Sequence, residues 1–443
     1  MSPLKRRRTL TVAPPPEATA PALTLPHEIV LEIVARSDAA TFVRCAASCK
    51  PLRRDVLRPA FIRRACHGPH GGVPPRVVGF LHAYDEARAA PPPAPFSLAH
   101  PATPAAASFA EELAPFVSRS AAAAAAGGLL GDYEPLTSRN GLVVLRRRYV
   151  GAHRPGICVY DPMTGGRAFL PGPPDIDTGH APDYGVSYTY VLLTAADGIA
   201  GSSCFLLLAA DFAQLTVGYS GDIRVQTVSP DAAGGGGKWG PVTWVSDPRS
   251  ARSELQPRCN AVVLGGLIHW LMYRGYWHFH ILTYDVRTAA AGSIELPEEA
   301  LHDGCRESSL HLAPSPDGRL SLLVADRRKI SVWLLPPSAG GGWSRHAMID
   351  TGKMLKWSLV PGYDRSWWLD RVVKFASSGA RSDAILLRPF TKWHKELVEE
   401  GGEGLAVLDV EKKEVRVVPR RAHTMNFPYE VDLEAQLSAM KIF

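Results

Sequence analysis

The sequence predicts a mainly β protein that begins with a small α-helical module. Residues 23–66 carry apolar side chains at the spacing of amphipathic helices. From Arg76 onward, short runs rich in Val, Ile, Leu, Tyr and Trp alternate with clusters of Gly, Pro, Asp and Asn, a pattern typical of short antiparallel strands. Some of these runs recur along the chain as internal repeats. A chain of 443 residues has room for more than one such domain.

Three to four helices are expected in the opening module, the fourth being a turn with Phe61, Ile62 and Ala65. The first begins at Leu25-Pro26, because proline fits the first turn of a helix, where its missing N–H costs nothing. The second begins at the N-capping pair Ser37-Asp38, and the third runs from Lys50-Pro51 until Pro59 interrupts it. A module of this size with apolar side chains on several faces needs a covering surface. Either the rest of the chain or a helix of a partner can supply that surface.

Three short motifs define this module. They are Leu25-Pro26-x-Glu28-Ile29-Val30-x-Glu32-Ile33, Phe42-Val43-Arg44-Cys45-Ala46 and Cys49-Lys50-x-Leu52-Arg53. Together they resemble an F-box. Leu52 stands where that family often has an aromatic residue, and Ser37-Asp38 replaces the usual Leu-Pro between the first two helices. Both differences keep the helical scheme.

The resemblance implies a partner protein. F-box modules dock on the Skp1 adaptor of a cullin–RING ubiquitin ligase. Carried over position by position, the residues that would contact such an adaptor are Leu25, Pro26, Ile29, Ile33, Val43 and Leu52. The alternative for each of these residues is a place in the internal core of the module.

Composition divides the chain into segments. Residues 1–22 are basic and then rich in Pro and Ala, which predicts a disordered tail. The helical module at 23–66 is followed by a Gly/Pro linker at 67–75 and by a β region at 76–443. Within the β region, an Ala/Pro-rich insertion at about 86–131 interrupts the strands.

Three kinds of internal repeat mark the β region, and the third is a two-glycine hairpin at 265–270 with a related piece at Asn140-Gly141. In the first, a strand ends at an acidic turn and the next strand ends at proline. The copies run from Val159 to Pro171, from Thr283 to Pro297 and from Val407 to Pro419, and the aspartate of each supplies the hairpin turn with the residues that follow it. In the second, a strand leads to a Gly-rich loop and then to Trp239 or Trp343. Repeats of this size predict a β-propeller of about six to eight blades. They resemble the kelch-like, F-box-associated propellers that follow plant F-boxes.

Composition also limits the environment and the partners. A mean hydropathy of −0.04 without a long apolar run argues against a membrane span. Seven scattered cysteines suggest reduced thiols in the cytosol or nucleus. The formal charge is +6, and the basic run Lys5-Arg6-Arg7-Arg8 is interpreted either as a nuclear import signal or as a solvated tail. Nothing in the sequence indicates specific nucleic-acid binding.

Candidate metal ligands are few. Cys45, Cys49, Cys66 and His67 could hold zinc, but no CxxC pair is present, and buried cysteines are the favoured interpretation. His278 and His280 would share one face of a strand, with no third ligand nearby in sequence. The sequence therefore predicts no metal site.

Aromatic residues of the β region are candidates for binding a target protein. Tyr276, Trp277 and Trp368 are the residues selected, and core or rim positions are the alternative. The sequence contains no phosphate-binding loop, no GxSxG elbow and no HExxH motif. No catalytic residue and no cofactor are predicted.

The function predicted from these patterns is that of a non-catalytic adaptor. The helical module would bind the Skp1-type adaptor, and the propeller would present an unidentified target protein to the ligase. One alternative is a propeller enzyme or a carbohydrate-binding protein with an unrelated helical cap. Another is a scaffold without ligase function.

Overall fold

The fold is described from a computed structural model of the chain. The residues that the structure describes are 25–37, 42, 45–46, 48–67, 76–84, 96–100, 133–147, 156–161, 166–176, 188–194, 197–198, 205–217, 221–230, 237–256, 261–275, 278–301, 309–315, 317–326, 329–336, 342–351, 372–378, 384–390, 405–410, 413–418 and 424–432. The predicted tail at 1–22 and residues 68–75 of the predicted linker lie outside this part of the chain.

The N-terminal module is helical. Its helices are α1 (His27–Arg36), α2 (Lys50–Val56) and α3 (Pro59–His67). Phe42, Cys45, Ala46 and Ser48 are also helical, where the second helix was expected. Pro59 begins α3 after α2 has ended, so proline separates two helices here, and α3 continues one residue into the predicted linker. The β region adds the short helix α4 (Ala213–Val217) and 3-10 turns at Pro248–Ser250 and Glu298–Ala300.

The rest of the described chain consists mainly of strands. In chain order they are β1 (Arg76–Tyr84), β2 (Phe96–His100), β3 (Tyr133–Arg139), β4 (Leu142–Arg147), β5 (Ile157–Tyr160), β6 (Arg167–Leu170), β7 (Tyr188–Thr194), β8 (Phe205–Asp211), β9 (Asp222–Val228), β10 (Thr243–Ser246), β11 (Glu254–Leu255), β12 (Val262–Leu264), β13 (Leu267–Arg274), β14 (His278–Asp285), β15 (Ala290–Glu295), β16 (Leu310–Pro314), β17 (Leu320–Asp326), β18 (Lys329–Leu334), β19 (Ser344–Asp350), β20 (Val372–Ser378), β21 (Ala384–Phe390), β22 (Leu405–Asp409), β23 (Glu414–Val418) and β24 (Thr424–Asp432). The strand β2 lies inside the predicted insertion at 86–131.

These strands form antiparallel sheets that follow one another along the chain. Sheet 1 is β3-β4-β5-β6, sheet 2 is β7-β8-β9-β10, and sheet 3 is β11-β13-β14-β15 with β12 also paired to β13. Sheet 4 is β16-β17-β18-β19, sheet 5 is β20-β21-β22-β23, and sheet 6 is β2-β1-β24. Sheet 6 joins the two ends of the β region, because all nine residues of β1 pair with β24, from Arg76 with Asp432 to Tyr84 with Thr424.

Successive sheets share apolar layers. In β8, Leu207 packs into the layer between sheets 1 and 2, and its neighbour Leu208 packs into the layer between sheets 2 and 3. In β17, Leu322 and Leu323 divide in the same way between sheets 3 and 5. Neighbouring strand residues point to opposite faces, so a strand covered on both faces needs a continuous apolar run. This explains why these strands lack the alternation of polar and apolar residues.

The tight turns follow the chemistry of their sequences. Asn140 and Gly141 connect β3 to β4, and Gly265 and Gly266 connect β12 to β13; all four have positive φ, which two-residue hairpins of this kind require. Between β14 and β15, the Asp285 carboxylate accepts hydrogen bonds from the main-chain N–H groups of the next residues at 2.8 and 3.1 Å. The predicted role of this aspartate in the turn is confirmed.

The predicted class, mainly β with helices at the N-terminus, is confirmed by this arrangement. Among the residues that the structure describes, no helix has the length and apolar character that a membrane span needs.

Candidate docking surface

Helix α1 begins where its sequence specifies. Pro26 precedes the helix in an extended conformation, and its carbonyl accepts hydrogen bonds from the N–H groups of Ile29 and Val30 at 3.0 and 3.2 Å. Glu28 lies in the first turn and Arg36 in the last, so both charges oppose the helix dipole favourably. Val34 on the inner side of the helix is buried.

Three large apolar side chains on α1 or just before it face solvent. Leu25, Ile29 and Ile33 are 58%, 48% and 52% exposed. Ile29 and Ile33 are four residues apart in α1 and therefore lie on one face of the helix, whereas Leu25 precedes Pro26, the residue before the first turn. We call these three residues the α1 stripe.

The module has a closed core of its own on the inner side of α1. Phe42, Val56, Ile62 and Ala65 are almost completely buried, and the Phe42 ring lies 5.9 Å from the Phe61 ring between centroids. The α1 stripe is therefore not needed to complete the internal core of the module.

A hydrogen bond and an ion pair attach α1 to α2 and α3. His27 Nε2 lies 2.7 Å from Asp55 Oδ2 in α2, and Glu32 Oε2 lies 3.0 Å from Arg64 Nη2 in α3. All four side chains are partly exposed, so each pair contributes little stability, but together they set how α1 sits on the module.

The predicted adaptor contacts fall into two groups. Leu25, Pro26, Ile29 and Ile33 are exposed on or next to α1, whereas Leu52 is buried inside the module as a core residue of α2. The side chain of Val43 lies outside the described residues. The structure thus brings four of the six predicted contacts to one accessible surface.

The predicted target-binding residues Tyr276, Trp277 and Trp368 lie outside the described residues. An exposed aromatic residue that sequence reasoning missed is Trp244 in β10, which is 59% exposed and lies 5.8 Å from the Arg224 guanidinium carbon. Side chains of neighbouring strand residues point to opposite faces, so an inward-facing Val245 implies an outward-facing Trp244. The structure shows this arrangement, with Val245 buried and its two neighbours exposed.

The two histidines considered as metal ligands differ in environment. His278 is exposed at the start of β14, whereas His280 is buried and its Nε2 lies 3.0 Å from Ser250 Oγ. Cys45 is half-buried, Cys49 is exposed, and the side chains of Cys66 and His67 lie outside the described part of the chain. Within that part, no group of three or more potential ligands could hold a metal ion.

Ser250, His280 and Asp247 have the residue types of a hydrolytic triad but a different arrangement. The Ser250 hydroxyl donates to Asp247 Oδ2 at 2.5 Å, so the carboxylate binds the serine instead of orienting the histidine. Burial lowers the pKa of His280, although the nearby Asp247 and Glu295 charges raise it. Ser250 is completely buried, so this cluster connects a 3-10 turn to β14 and does not present a nucleophile.

Several solved structures have low similarity to this chain. Apo prolyl oligopeptidase B from Galerina marginata is 12% identical over 65% of this chain and 32% of its own, with a TM-score of 0.27. Puromycin hydrolase is 13% identical over 66% and 45%, with a TM-score of 0.28. A quinonprotein alcohol dehydrogenase-like protein from Bacteroides thetaiotaomicron is 11% identical over 68% and 67%, with a TM-score of 0.29. The chain thus spans less than half of the first two structures, and similarity this low carries no argument about function.

Sequence comparison gives a family. No curated protein sequence matches the chain. Residues 103–443 match the model of DUF7595, a domain of unknown function. Because this match takes in most of the chain, including every strand from β3 to β24, the protein belongs to the DUF7595 family.

Proposed function

We propose that this protein is the substrate-recognition subunit of a Skp1–cullin–F-box ubiquitin ligase. The helical module binds a Skp1-type adaptor, and the β region binds the target protein. The observation that carries this proposal is the α1 stripe, in which Leu25, Ile29 and Ile33 face solvent on a module whose own core is already closed. Aligned apolar side chains on an exposed helix are the usual feature of helix-in-groove recognition.

The size of the stripe suits a docking contact. Burying a leucine or isoleucine side chain contributes about 1.5–3 kcal/mol, so covering these half-exposed side chains offers on the order of 3 kcal/mol. The stripe coincides with the motif Leu25-Pro26-x-x-Ile29-x-x-x-Ile33 that resembles an F-box. Leu52 is buried in α2 and is therefore not proposed as a direct contact.

The β region is proposed to be a six-bladed propeller in which each sheet is one blade. Three features support this count: the sheets follow one another in chain order, sheets 1 to 5 share apolar layers pairwise, and β24 of sheet 6 contacts β3 of sheet 1. The main-chain N–H of Gly141 donates to the Glu430 carbonyl at 2.8 Å across that last contact. A ring closed by pairing β1 with β24 gives a rigid platform for loops.

The loops of this platform would receive the target protein. Tyr276 and Trp277 lie between β13 and β14, next to the exposed residues Arg274 and His278. They and Trp368 remain the proposed target contacts. The protein itself would supply proximity, because holding target and ligase together raises the effective concentration of target lysines. Such a complex would work in the cytosol or the nucleus.

A pull-down with a purified Skp1-type adaptor tests the proposal. The full chain should retain the adaptor, and Ile33→Asp should abolish retention, because a carboxylate would be buried in an apolar groove. Met348→Asp is the matched control, since Met348 is 46% exposed on β19 in the β region. Failure of the wild-type chain to bind, or unchanged binding by Ile33→Asp, would overturn the proposal.

A further inference from the structure

The helical module carries a large surplus of positive charge. Its described basic residues are Arg36, Lys50, Arg53, Arg54, Arg58, Arg63 and Arg64, and its described acidic residues are Glu28, Glu32 and Asp55. In the whole chain, 49 lysine and arginine residues oppose 43 aspartate and glutamate residues. The net positive charge of the chain therefore lies in this module and in the basic run Lys5-Arg6-Arg7-Arg8, and is not spread evenly along the sequence.

Glu32 places two arginines at one end of the α1 stripe. It precedes Ile33 in α1, and its two carboxylate oxygens contact Arg36 Nη2 at 2.8 Å and Arg64 Nη2 at 3.0 Å. Both arginine side chains are more than half exposed. Two positive charges share one negative charge here, so this end of the stripe has a positive border.

Asp55 places another arginine at the opposite end of the stripe. Its Oδ1 atom lies 2.7 Å from Arg58 Nη2, and its Oδ2 atom lies 2.7 Å from Nε2 of His27, which stands between Leu25 and Ile29 in sequence. Arg58 is exposed over most of its side chain. At each end of the stripe, an arginine therefore pairs with a carboxylate that lies next to a stripe residue or contacts its neighbour.

Further cations on the same module have no carboxylate partner among the residues that the structure describes. Lys50, Arg54 and Arg63 are exposed and form no ion pair with any residue that the structure describes. Arg54 lies on α2 and Arg63 on α3, the two helices against which α1 packs. Their exposure makes these charges accessible to an approaching molecule.

We infer that the partner of the α1 stripe presents an apolar groove bordered by carboxylates, and that attraction to the basic module accelerates its association. This inference rests on the proposed function, since it specifies the chemistry of the same docking surface. Complementary charge at the rim of an interface mainly raises the association rate, whereas the apolar centre mainly sets the dissociation rate. The module then divides these tasks between its arginines and the α1 stripe.

A protein groove fits this surface better than a nucleic acid does. The arginines paired with Glu32 and Asp55 accompany an exposed apolar stripe, and a phosphate backbone offers nothing to cover Leu25, Ile29 and Ile33. Three of the arginines are already partly neutralised by Glu32 and Asp55, which suits a rim contact better than phosphate binding.

Stopped-flow kinetics with the full chain and a purified Skp1-type adaptor tests the inference. The association rate of the wild-type chain should fall about tenfold between roughly 0.05 M and 0.5 M salt, because the Debye length shortens from above 10 Å to below it. The double variant Arg54→Glu/Arg63→Glu should lower the association rate about tenfold at low salt and change the dissociation rate less than about twofold.

The matched control is Lys238→Glu/Arg249→Glu. Both of these residues are exposed in the β region and make no ion pair with the described residues, so the same change in net charge is made away from the module. The control should keep the wild-type association rate. Circular dichroism melting would show that both double variants remain folded.

The outcomes separate the inference from the proposed function. If Ile33→Asp abolishes binding but salt and Arg54→Glu/Arg63→Glu leave the association rate unchanged, the docking site stands and the inference is wrong. Equal slowing by the control would also overturn it, because the effect would then belong to total charge. The inference would also be wrong if the chain retained a duplex DNA probe while its association with the adaptor did not depend on salt. The basic residues would then serve to bind nucleic acid and not the adaptor. A wild-type chain that does not bind the adaptor would overturn both.

Discussion

Trp239 and Trp343 make the same hydrogen bond in different sheets. Each donates its indole N–H at 2.8 Å to a main-chain carbonyl of the preceding sheet: Trp239 in sheet 2 to Pro171 beside β6, and Trp343 in sheet 4 to Glu295 of β15. Both tryptophans follow a Gly-rich loop between the third and fourth strands of their sheets. The sequence repeat therefore corresponds to a repeated contact between successive sheets.

Replacing these tryptophans by phenylalanine tests the contact. Trp239→Phe should lower the free energy of unfolding by about 1 kcal/mol or somewhat more, because it removes the donor and leaves the Pro171 carbonyl unpaired. Trp343→Phe should cost less, since its bond is more exposed. Urea unfolding measures both. Trp244→Phe is the control and should change nothing; an equal loss in all three variants would contradict the account.

A buried ion pair connects three successive sheets. Arg139 at the end of β3 donates to Asp197 Oδ1 at 2.5 Å and to the Val263 carbonyl of β12 at 3.1 Å. Asp197 Oδ2 also accepts from the Thr194 N–H of β7 at 2.9 Å. Asp197→Asn should cost about 3–5 kcal/mol, because it leaves a buried guanidinium without its counter-charge.

The surface pair Arg319–Asp317 serves as the control for that experiment. Its atoms are as close, at 2.5 Å, but Asp317 is half exposed. Asp317→Asn should therefore change the urea midpoint little. If Asp197→Asn were equally mild, the pair between the sheets would not be a structural contact of this importance.

Buried histidines predict a loss of stability in mild acid. Burial lowers the pKa of His269 to about 4, against the opposing effect of the Val262 carbonyl that its ring contacts, and burial lowers the pKa of His311 to about 4 as well. Each ring stays neutral in the folded protein while it gains a proton in the unfolded chain below its ordinary pKa of about 6.5. Stability is therefore complete above that pH and falls as the pH drops toward 4.

Between the two pKa values, each histidine should lower the free energy of unfolding by up to about 1.4 kcal/mol for every pH unit of acidification. Urea unfolding from about pH 8 to pH 5 measures it. His311→Leu should reduce the pH dependence of the free energy of unfolding by the contribution of one histidine. This holds whatever the substitution does to stability at neutral pH. A variant with the full wild-type slope would show that His311 is not neutral in the folded protein.

The strand β1 lies outside the residues that match the DUF7595 model but is paired along its whole length with β24. Removal of residues 1–102 should therefore leave β24 without its neighbour and destroy cooperative unfolding. Removal of residues 1–67 keeps β1 and should preserve it. Calorimetry on both truncated proteins checks this. Cooperative melting of the shorter protein at the same temperature would contradict the role of β1.

Local sequence signals predicted the elements well, and contacts distant in sequence escaped them. The turns at Asp285 and Gly265-Gly266 were predictable, because neighbouring residues determine them. The Arg139–Asp197 pair was not, since its members are 58 positions apart and neither stands in a motif.

At the candidate docking surface too, the sequence predicted the helices but not which of their residues are exposed. Helical spacing alone could not tell that Ile33 faces solvent and Leu52 faces the core, because both fit an amphipathic pattern. Only the packing of α2 and α3 against one side of α1 decides which of these residues remains available to a partner.

Isothermal titration of the full chain with a purified Skp1-type adaptor tests the central claim most directly. The account predicts saturable binding with one adaptor per chain and a negative heat-capacity change, because the α1 stripe becomes buried. It also predicts that Ile33→Asp removes the binding signal while Met348→Asp retains it. A wild-type titration without binding, or an Ile33→Asp titration indistinguishable from wild type, would contradict it.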